Sequence, residues 1–557
     1  MNPNQAEENM TSPLVQRDPD VFARYTAEGW WDPETVAQRI AVHARERPDA
    51  SAFISEYSRM TWRQYDEWST DLASILIRAG LEPGDRVCVM LPDGPGVHVA
   101  FVAAEKAGLV VVGVGPRAGE QELRYLMGRT DATVLVTQPL HRGAPAAELV
   151  ARLRDSGLAI RMHVVVPVDG QESASVIIDG EPAFGDAASL AAIPGRSLGP
   201  NDLFLLNSTS GTTGMPKCVM QFQNRWVYFH KLAAAAGAFT RDDVFMSLVG
   251  APFGFGLWTA HFTPTILGAP CVVMSRFSAD GALRLMESER VSVMACVSTQ
   301  FIMMLNRPEI EFVDLGPLRA MFTGGEAVPY GRAAQFEEKT GASVLQFFGS
   351  NETGALSRTS VEDTREQRLA TAGKVIPEMH VRLFDDDGAD VTASGGPGQP
   401  ACKGPATCLG YFDDNAANAQ LFTDDGWMLT GDIATIDDDG YLRVVGRKSD
   451  FIIRGGKNIS AGEVEENVGS HPAVAMVAAI ARPDDTFGER VCVYVVTHPG
   501  RTVELTDVLE HLEARGVSHE LYPEYLIVVD EMPQASGGKI AKAALRDDLK
   551  ARMAEPA

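Results

Sequence analysis

From about Pro33 to Pro200 the chain alternates between two hydrophobic periods. The stretch "ETVAQRIAVHARERP" places apolar residues at helical spacing, and Pro48 closes it. "DRVCVMLP" is a short apolar run with Gly and Pro beside it, the pattern of a buried strand. "HVAFVAAEKAG" predicts a helix ended by Gly108, and "LVVVGVG" and "ATVLVTQ" predict further strands. These strand runs are apolar throughout, so both faces are covered; helices between them imply a mostly parallel sheet. The pattern continues through "CVVMSRF", "VSVMACVS" and "LRAMFTGGEAV".

Beyond about Val375 the texture changes. "MHVRLFDDDGADV" and "IATIDDDGYLRVVGR" predict hairpins with Asp/Gly turns, their acidic runs being solvated turn tips rather than metal sites. After Arg447 a segment of about 110 residues, the size of one domain, mixes strands ("AVAMVAAIA", "RVCVYVV") with a helix ("LTDVLEHLEARG"). A cut at "GRKSD" separates 1–446 from 447–557. The expected fold is α/β: a large N-terminal domain of parallel-rich sheets layered with helices, plus a small α+β C-terminal domain. The polar opening, residues 1–20, is expected to be frayed and does not read as a signal peptide.

Composition narrows the function. A chain of 557 residues exceeds one typical domain. A formal net charge of -25 argues against nucleic acid and anionic membrane surfaces as partners, and requires local cations for any anionic ligand. The seven cysteines (88, 218, 271, 296, 402, 408 and 492) form no C-x-x-C pair, which fits buried thiols in a reducing cytoplasm. The eleven histidines show no metal-ligand spacing. The apolar stretch "VHVAFVAAEKAGLVVVGVG" is broken by Glu105 and Lys106, so it reads as helix then strand, not as a membrane span.

Candidate chemistry gathers at strand ends. "NSTSGTTGMPKCV" (207–219) packs hydroxyls, glycines and Lys217 between apolar runs. Backbone N–H groups freed by glycine, hydroxyl donors and one cation suit a phosphate chain. The spacing is not the usual nucleotide loop, because Pro216 precedes the lysine and "KCVMQFQ" alternates like a strand. A solvated hairpin turn is the other reading. "MFTGGEAVP" offers Gly324, Gly325 and Glu326, and "LQFFGSNETG" offers Gly349, Asn351 and Glu352. Each glycine alone is a tight turn; three strand ends together point to a ligand at the carboxyl edge of a parallel sheet. Asp432, Arg447, the pair Gly455–Gly456 and Lys539 behind two glycines complete the set.

"TSGTTGMPK", "GSNETG", "TGD", "GYLRVVGR", "RGGKNIS" and "GGKIAK" stand in an order and spacing that resembles the adenylate-forming superfamily: acyl- and aryl-CoA synthetases, adenylation domains of nonribosomal peptide synthetases and beetle luciferases. The likeness runs from about Ala37 to Leu549, and the opening "ARYTAEGWWDPETVAQRI" looks like the aryl-acid branch. It implies a carboxylate attacking the α-phosphate of ATP, followed by displacement of AMP by a thiol. The implied roles are as follows. Thr209, Ser210, Gly211, Thr212, Thr213, Gly214 and Lys217 cradle the β- and γ-phosphates. Phe348 lies on the adenine, and Gly325, Glu326 and Gly349 line its pocket, with Ser350 and Asn351 beside them. Glu352 holds Mg²⁺, Asp432 takes the ribose hydroxyls next to Arg447, and Lys539 bridges the two reacting anions. The small domain then rotates, withdrawing Lys539 and bringing up Gly455 and Gly456, past which a pantetheine arm fits.

The chain departs from the family pattern at Asn351 (usually Thr or Ser), at Ser449 in the hinge (usually Asp or Lys), at Cys218 and at Gly537. An amide at 351 still donates and accepts. Ser449 sits between Lys448 and Asp450, so the pivot can fall one residue away. In "GAPFGFGLWTAHF" the acyl wall offers Phe253, Phe255 and Gly256, facing Gly324, where dihydroxybenzoate-activating relatives carry His-Asn-Tyr. Without that amide and hydroxyl, an apolar aryl, alicyclic or medium-chain acid is expected; core packing is the competing reading of these aromatics. The resemblance thus implies an AMP-forming acid–CoA ligase using ATP, Mg²⁺ and CoA, with a homodimer left open. A stand-alone enzyme loading a carrier protein is the alternative, and a non-catalytic nucleotide-binding protein the third possibility.

Overall fold

The computed structural model describes residues 19–167, 175–208, 216–325, 328–448, 450–455, 457–484, 486–535 and 538–554. Two large sheets organise the chain before residue 375. One has eight strands; its core, Arg86–Met90, Val110–Gly113, Val134–Thr137, Met162–Val165 and Leu203–Ser208, is parallel. Cys218–Phe222 closes one edge antiparallel. The other has nine strands, with Phe245–Ser247, Cys271–Val273, Val293–Ala295, Ala320–Gly324 and Ser343–Ser350 in parallel register. The uniformly apolar runs are these buried strands, as the sequence predicts.

Helices pack between and outside the sheets. Val36–Glu46 opens with a Thr35–Gln38 capping box. Pro95–Ala107 ends at Gly108, whose φ of +78° is left-handed; a Cβ there would fall 2.5 Å from the Arg196 carbonyl. Glu105 and Lys106, which interrupt the apolar run, are both buried and satisfied. Glu105 accepts from the Ala37 N–H at 3.1 Å, at the positive end of the Val36–Glu46 helix. Burial pushes its carboxyl up to about 7. Lys106 reaches Asp66, Ser69 and Thr70 at 2.7–2.9 Å. Among the described residues no helix is long and apolar enough to cross a membrane.

After residue 375 the elements shorten. Asp432–Ile436 and Leu442–Arg447 form the expected hairpin. The other is shorter than expected: Arg382–Phe384 closes on its own downstream segment through the Phe384–Asp390 bridge and the Val391 N–H to Leu383 carbonyl bond at 2.9 Å, and its longer ladder is with Gln399–Cys402 on the other side. The Asp385 carboxylate caps the intervening turn at the Asp387 and Ala389 N–H groups. The chain then turns away through Thr392–Ser394, so the ladder stops. The last hundred residues build a five-stranded sheet around the hairpin of Val474–Asp484 and Gly488–Thr497, with cores of their own centred on Val464, Val493 and Leu512, and on Tyr494, Leu545 and Leu549. This lobe touches the large one through Ala475, whose carbonyl accepts from Arg332 at 3.2 Å, and Glu466, which accepts from the Gly331 N–H at 3.1 Å.

Candidate active site

Within each sheet the parallel strands end on one edge, and the two sheets meet where Asn207, near the end of Leu203–Ser208, donates to Asn351, just after Ser343–Ser350, at 3.1 Å; the motif residues follow those ends. Leu203–Ser208 and Cys218–Phe222 run antiparallel with Ser208 opposite Cys218, so the Ser/Thr/Gly segment joins two strands rather than a strand and a helix. Thr209, Ser210, Gly211, Thr212, Thr213 and Gly214 lie outside the described residues, as do Glu326, Ser449 and Gly456. Lys217 is described. Its ammonium stands 4.9 Å from the centre of the Tyr411 ring. The Tyr411 hydroxyl donates to Glu352 Oε1 at 2.7 Å. Burial, reinforced by that carboxylate, pushes the phenol far above its ordinary range, so it remains a donor. Tyr411 therefore joins Lys217 to Glu352, and no motif in the sequence singled it out.

Glu352 stands in the turn after Ser343–Ser350. The Ser350 hydroxyl caps that turn by accepting from the N–H groups of Glu352 and Thr353, both at 3.1 Å. Phe348 is half-buried just upstream. At Gly349 a Cβ would fall 1.7 Å from the Gly354 carbonyl, so the returning strand requires glycine there. Asn351 turns inward: Asn207 and Gln221 both donate to its Oδ1 at 3.1 Å.

The small lobe brings in Lys539. Gln534 and Ile540 bridge across a tight loop, and Lys539 Nζ donates to the Gly325 carbonyl at 2.6 Å. A Cβ on Gly325 would lie 2.7 Å from that ammonium, so glycine clears its seat. Gly324, the last residue of its strand, pairs with Phe347. Asp432 and Arg447 face each other across their hairpin, with Arg447 Nε 3.6 Å from Asp432 Oδ1. Burial raises Asp432 to about 6; Arg447 and Lys539 oppose the rise, while Asp450 and Glu352 add to it. Asp432, Lys539 and Glu352 thus share one electrostatic field. Gly455 is placed elsewhere: its N–H donates to the Phe487 carbonyl at 2.8 Å, within the small lobe.

Phe253 and Phe255 are half-buried. The Phe255 ring stands edge-on to Trp258 at 5.5 Å, which ties it to an aromatic cluster with Phe322 and Phe347. Gly256 is obligatory, since a Cβ would lie 2.4 Å from the Val249 carbonyl. The segment is braced from behind by Asp93, whose Oδ1 accepts from the Ala251 N–H at 3.3 Å. Burial pushes Asp93 up to about 8. Sequence reasoning missed Asp93, Tyr411 and Arg225; the polar "QFQNR" between the apolar "CVM" and "WVYF" was the available signal for the last. All seven cysteines are buried and free of disulfides. Among the described residues, no group of three or more His, Cys, Asp or Glu side chains gathers to hold a metal.

Comparison with known proteins agrees with this arrangement. The model of the AMP-binding enzyme family matches residues 40–412, and that of the AMP-binding enzyme C-terminal domain matches 463–539. The medium-chain fatty-acid–CoA ligase of Escherichia coli (strain K12) is 29% identical over 96% of this chain and 94% of its own. The 2-hydroxy-7-methoxy-5-methyl-1-naphthoate–CoA ligase of Streptomyces carzinostaticus is 34% identical over 95% of each chain. The salicyl-AMP ligase / salicyl-S-ArCP synthetase of Mycobacterium tuberculosis (strain ATCC 25618 / H37Rv) is 30% identical over 94% and 93%. Among solved structures, the anthranilate CoA ligase AuaEII in complex with anthranoyl-AMP shares the fold, with a TM-score of 0.83, 23% identity and coverage of 94% and 98%. From the two matched models, the near full-length relatives and the common fold, the chain belongs to the AMP-binding enzyme family and is an adenylate-forming ligase.

Proposed function

We propose that the chain joins an apolar aryl, alicyclic or medium-chain carboxylic acid to CoA, through an acyl-adenylate formed with ATP. The observation that carries this reading is the seat of Lys539 on the Gly325 carbonyl, in the same field as Asp432 and Glu352. In the first step a carboxylate oxygen attacks the α-phosphorus of ATP and pyrophosphate leaves. Two anions must meet, so the barrier is largely electrostatic. Lys539 neutralises both at the reacting centre. Lys217 and the Ser/Thr/Gly loop hold the β- and γ-phosphates, and Asp432 accepts from the ribose hydroxyls. Phe348 supplies the adenine face, with Gly325, Glu326 and Gly349 around it.

A single carboxylate oriented by Tyr411, with no cluster of three or more His, Cys, Asp or Glu ligands among the described residues, suits Mg²⁺, which keeps waters and takes few protein ligands beside phosphate. Glu352 would hold it, and the ion would supply charge neutralisation on the phosphates. In the second step the thiol sulfur of CoA attacks the acyl carbon and AMP leaves. We place a pivot at residues 447–450 between the large and small domains, and assign the Gly455–Gly456 turn to the pantetheine path once the small lobe has rotated. Phe253, Phe255, Gly256 and Gly324 are proposed to line the acid pocket; the half-burial of both phenylalanines and a relative named for medium-chain fatty acids favour an apolar acid. The seven buried, free thiols suit a reducing cytoplasm.

The salicyl-S-ArCP synthetase relative favours a second reading, transfer to a carrier protein. AMP release is to be measured across a panel of carboxylic acids, with and without CoA. Turnover that needs free CoA supports the ligase. Single-turnover adenylate that CoA does not discharge supports the carrier reading. Absence of pyrophosphate exchange with every acid overturns both.

A further inference from the structure

Behind Glu352 lies a buried polar cluster that the catalytic roles above leave unused. Arg225, on the helix Gln223–Gly237, is 1% exposed, as is Asn207, and Gln221 is fully buried. Arg225 donates to three backbone carbonyls: Asn351 at 2.9 Å, Glu352 at 3.2 Å and Ala406 at 2.8 Å. It also donates to the Gln221 side-chain oxygen. Gln221 donates to Asn207 at 2.9 Å and to Asn351 at 3.1 Å, and Asn351 Nδ2 donates to Asn207 Oδ1 at 2.8 Å. Asn207 Nδ2 further reaches the Pro252 carbonyl at 3.1 Å.

These partners come from four separate parts of the site. Asn207 and Gln221 sit on the two strands that enter and leave the Ser/Thr/Gly loop. Pro252 precedes the pocket residue Phe253. Ala406 precedes Tyr411 on the loop that orients the Glu352 carboxylate. Asn351 and Glu352 are the acidic motif itself. One guanidinium therefore ties the backbone under Glu352 to the loop stem directly and through two amides. Asn351 is matched by this cluster: its amide both donates and accepts within it.

We propose that Arg225 is a positioning residue for the metal-binding carboxylate, fixing Glu352 at a set height above the phosphate-loop stem through the Asn351 and Glu352 carbonyls. It does not touch substrate. Its planar fork serves carbonyls in several directions at once, which one ammonium cannot do. Burial lowers its pKa only to about 10, so it keeps its charge at neutral pH. The Glu352 carbonyl also accepts from the Cys408 N–H at 2.8 Å and the Asn351 carbonyl from Gln221 at 3.4 Å, so loss of the guanidinium removes one of two donors from each and loosens the Glu352 turn without freeing it.

This inference rests on the adenylation reading, and the test separates the two. R225Q and R225K are compared with wild type by three measures: half-saturating Mg²⁺ in acid-dependent pyrophosphate exchange; Mn²⁺ affinity of the enzyme with a non-hydrolysable ATP analogue, read by electron paramagnetic resonance without turnover; and thermal midpoint. Outer partners of metal ligands are typically worth about 10–100-fold in metal affinity. R225Q should weaken Mg²⁺ and Mn²⁺ by about tenfold, with KM for the acid within about twofold. R225K, which keeps the charge and one or two of the bonds, should recover part of the loss and serves if R225Q does not fold. Wild-type metal affinity in both variants, or metal, ATP and acid constants worsening together with the thermal midpoint, overturns the positioning role. A wild-type enzyme without exchange activity would overturn the adenylation reading instead.

Discussion

Replacing Asp93 by Asn should stabilise the protein in a strongly pH-dependent way. Asp93 is 8% exposed, its described hydrogen bond is the one from the Ala251 N–H, and burial raises its carboxyl from 3.8 to about 8. A raised acid binds a proton in the folded state that the unfolded chain has released. Between pH 4 and 8 the native state therefore carries the extra proton, and this group's contribution to stability falls as pH rises. The slope is about 1.4 kcal/mol per pH unit, or about 4 kcal/mol between pH 5 and pH 8. That figure is an upper one, since water drawn in around an ionised carboxylate softens the cost. Asn keeps the acceptor for the Ala251 N–H and cannot ionise. The assay is urea unfolding of the full chain at pH 5, 6, 7 and 8, reading the difference between D93N and wild type so that other titrations cancel. The difference should be smallest at pH 5 and grow to a few kcal/mol at pH 8, up to the same ceiling of about 4 kcal/mol. Because Ala251 leads into Phe253, the wild-type KM for the acid should also worsen above pH 8 while that of D93N stays flat. Parallel unfolding curves at every pH would show that Asp93 is ionised or solvated in the fold, and the argument would be wrong.

Three further outcomes follow from the site. K539A should slow adenylate formation by about 10²–10³-fold, the usual cost of deleting a group that stabilises developing charge, yet leave thioester formation from supplied acyl-adenylate near wild type; equal losses in both half-reactions would contradict rotation of the small lobe. In the proposed role Asp432 accepts from both ribose hydroxyls, which takes both carboxylate oxygens and so the ionised form, and burial raises its pKa to about 6, so KM for ATP should be level above pH 7 and rise as pH falls through 6; the D432N variant should show a higher KM with no inflection, which steady-state kinetics from pH 5 to 8 would test. F255N should weaken binding of apolar acids by about 10–200-fold, the worth of an apolar contact or two, and relax discrimination against hydroxylated rings; an unchanged acid profile would assign Phe255 to the Trp258 cluster alone.

What the sequence makes legible follows from periodicity and edge geometry. Runs such as Val110–Gly113 and Val134–Thr137 are apolar throughout, which only a sheet covered on both faces permits. Within one parallel sheet every strand-end loop falls on the same edge, so Gly325 and Glu352, which follow neighbouring strands, are bound to converge; Lys217 belongs to the other sheet, and only the tertiary packing brings it to them. Local patterns cannot carry contacts that close over long stretches of chain. Arg225 meets the Glu352 carbonyl across 127 residues, and Tyr411 meets its carboxylate across 59; neither pairing has a spacing rule. Arg382–Phe384 is legible only in part, for a related reason. Its Asp/Gly turn closes a short hairpin as the local signal indicates, while the second pairing, with Gln399–Cys402, joins residues too far apart in the chain for a local pattern to show.

Buried charge marks the same limit. Glu105 and Lys106 on one helix read in the sequence as interruptions of an apolar stretch, while Asp93 and Arg225 carry no such mark; such residues are rarely buried without partners. Their partners are a helix N-terminus, a trio of side chains, a single backbone N–H and three carbonyls, respectively. The best-satisfied of these serve the architecture: Glu105 caps a helix and Lys106 pins two helices together. Asp93 and Arg225 instead brace loops, one behind the acid pocket and one beneath Glu352, and neither has a compensating opposite charge among its described hydrogen bonds. A buried cation without an opposite charge, and a carboxyl that burial keeps protonated, cost stability that simple scaffolding does not require, since an apolar residue would fill the same space. Both costs fall on loops assigned above to the proposed acid and metal sites, so the placement of these residues is better explained by the proposed reaction than by the fold.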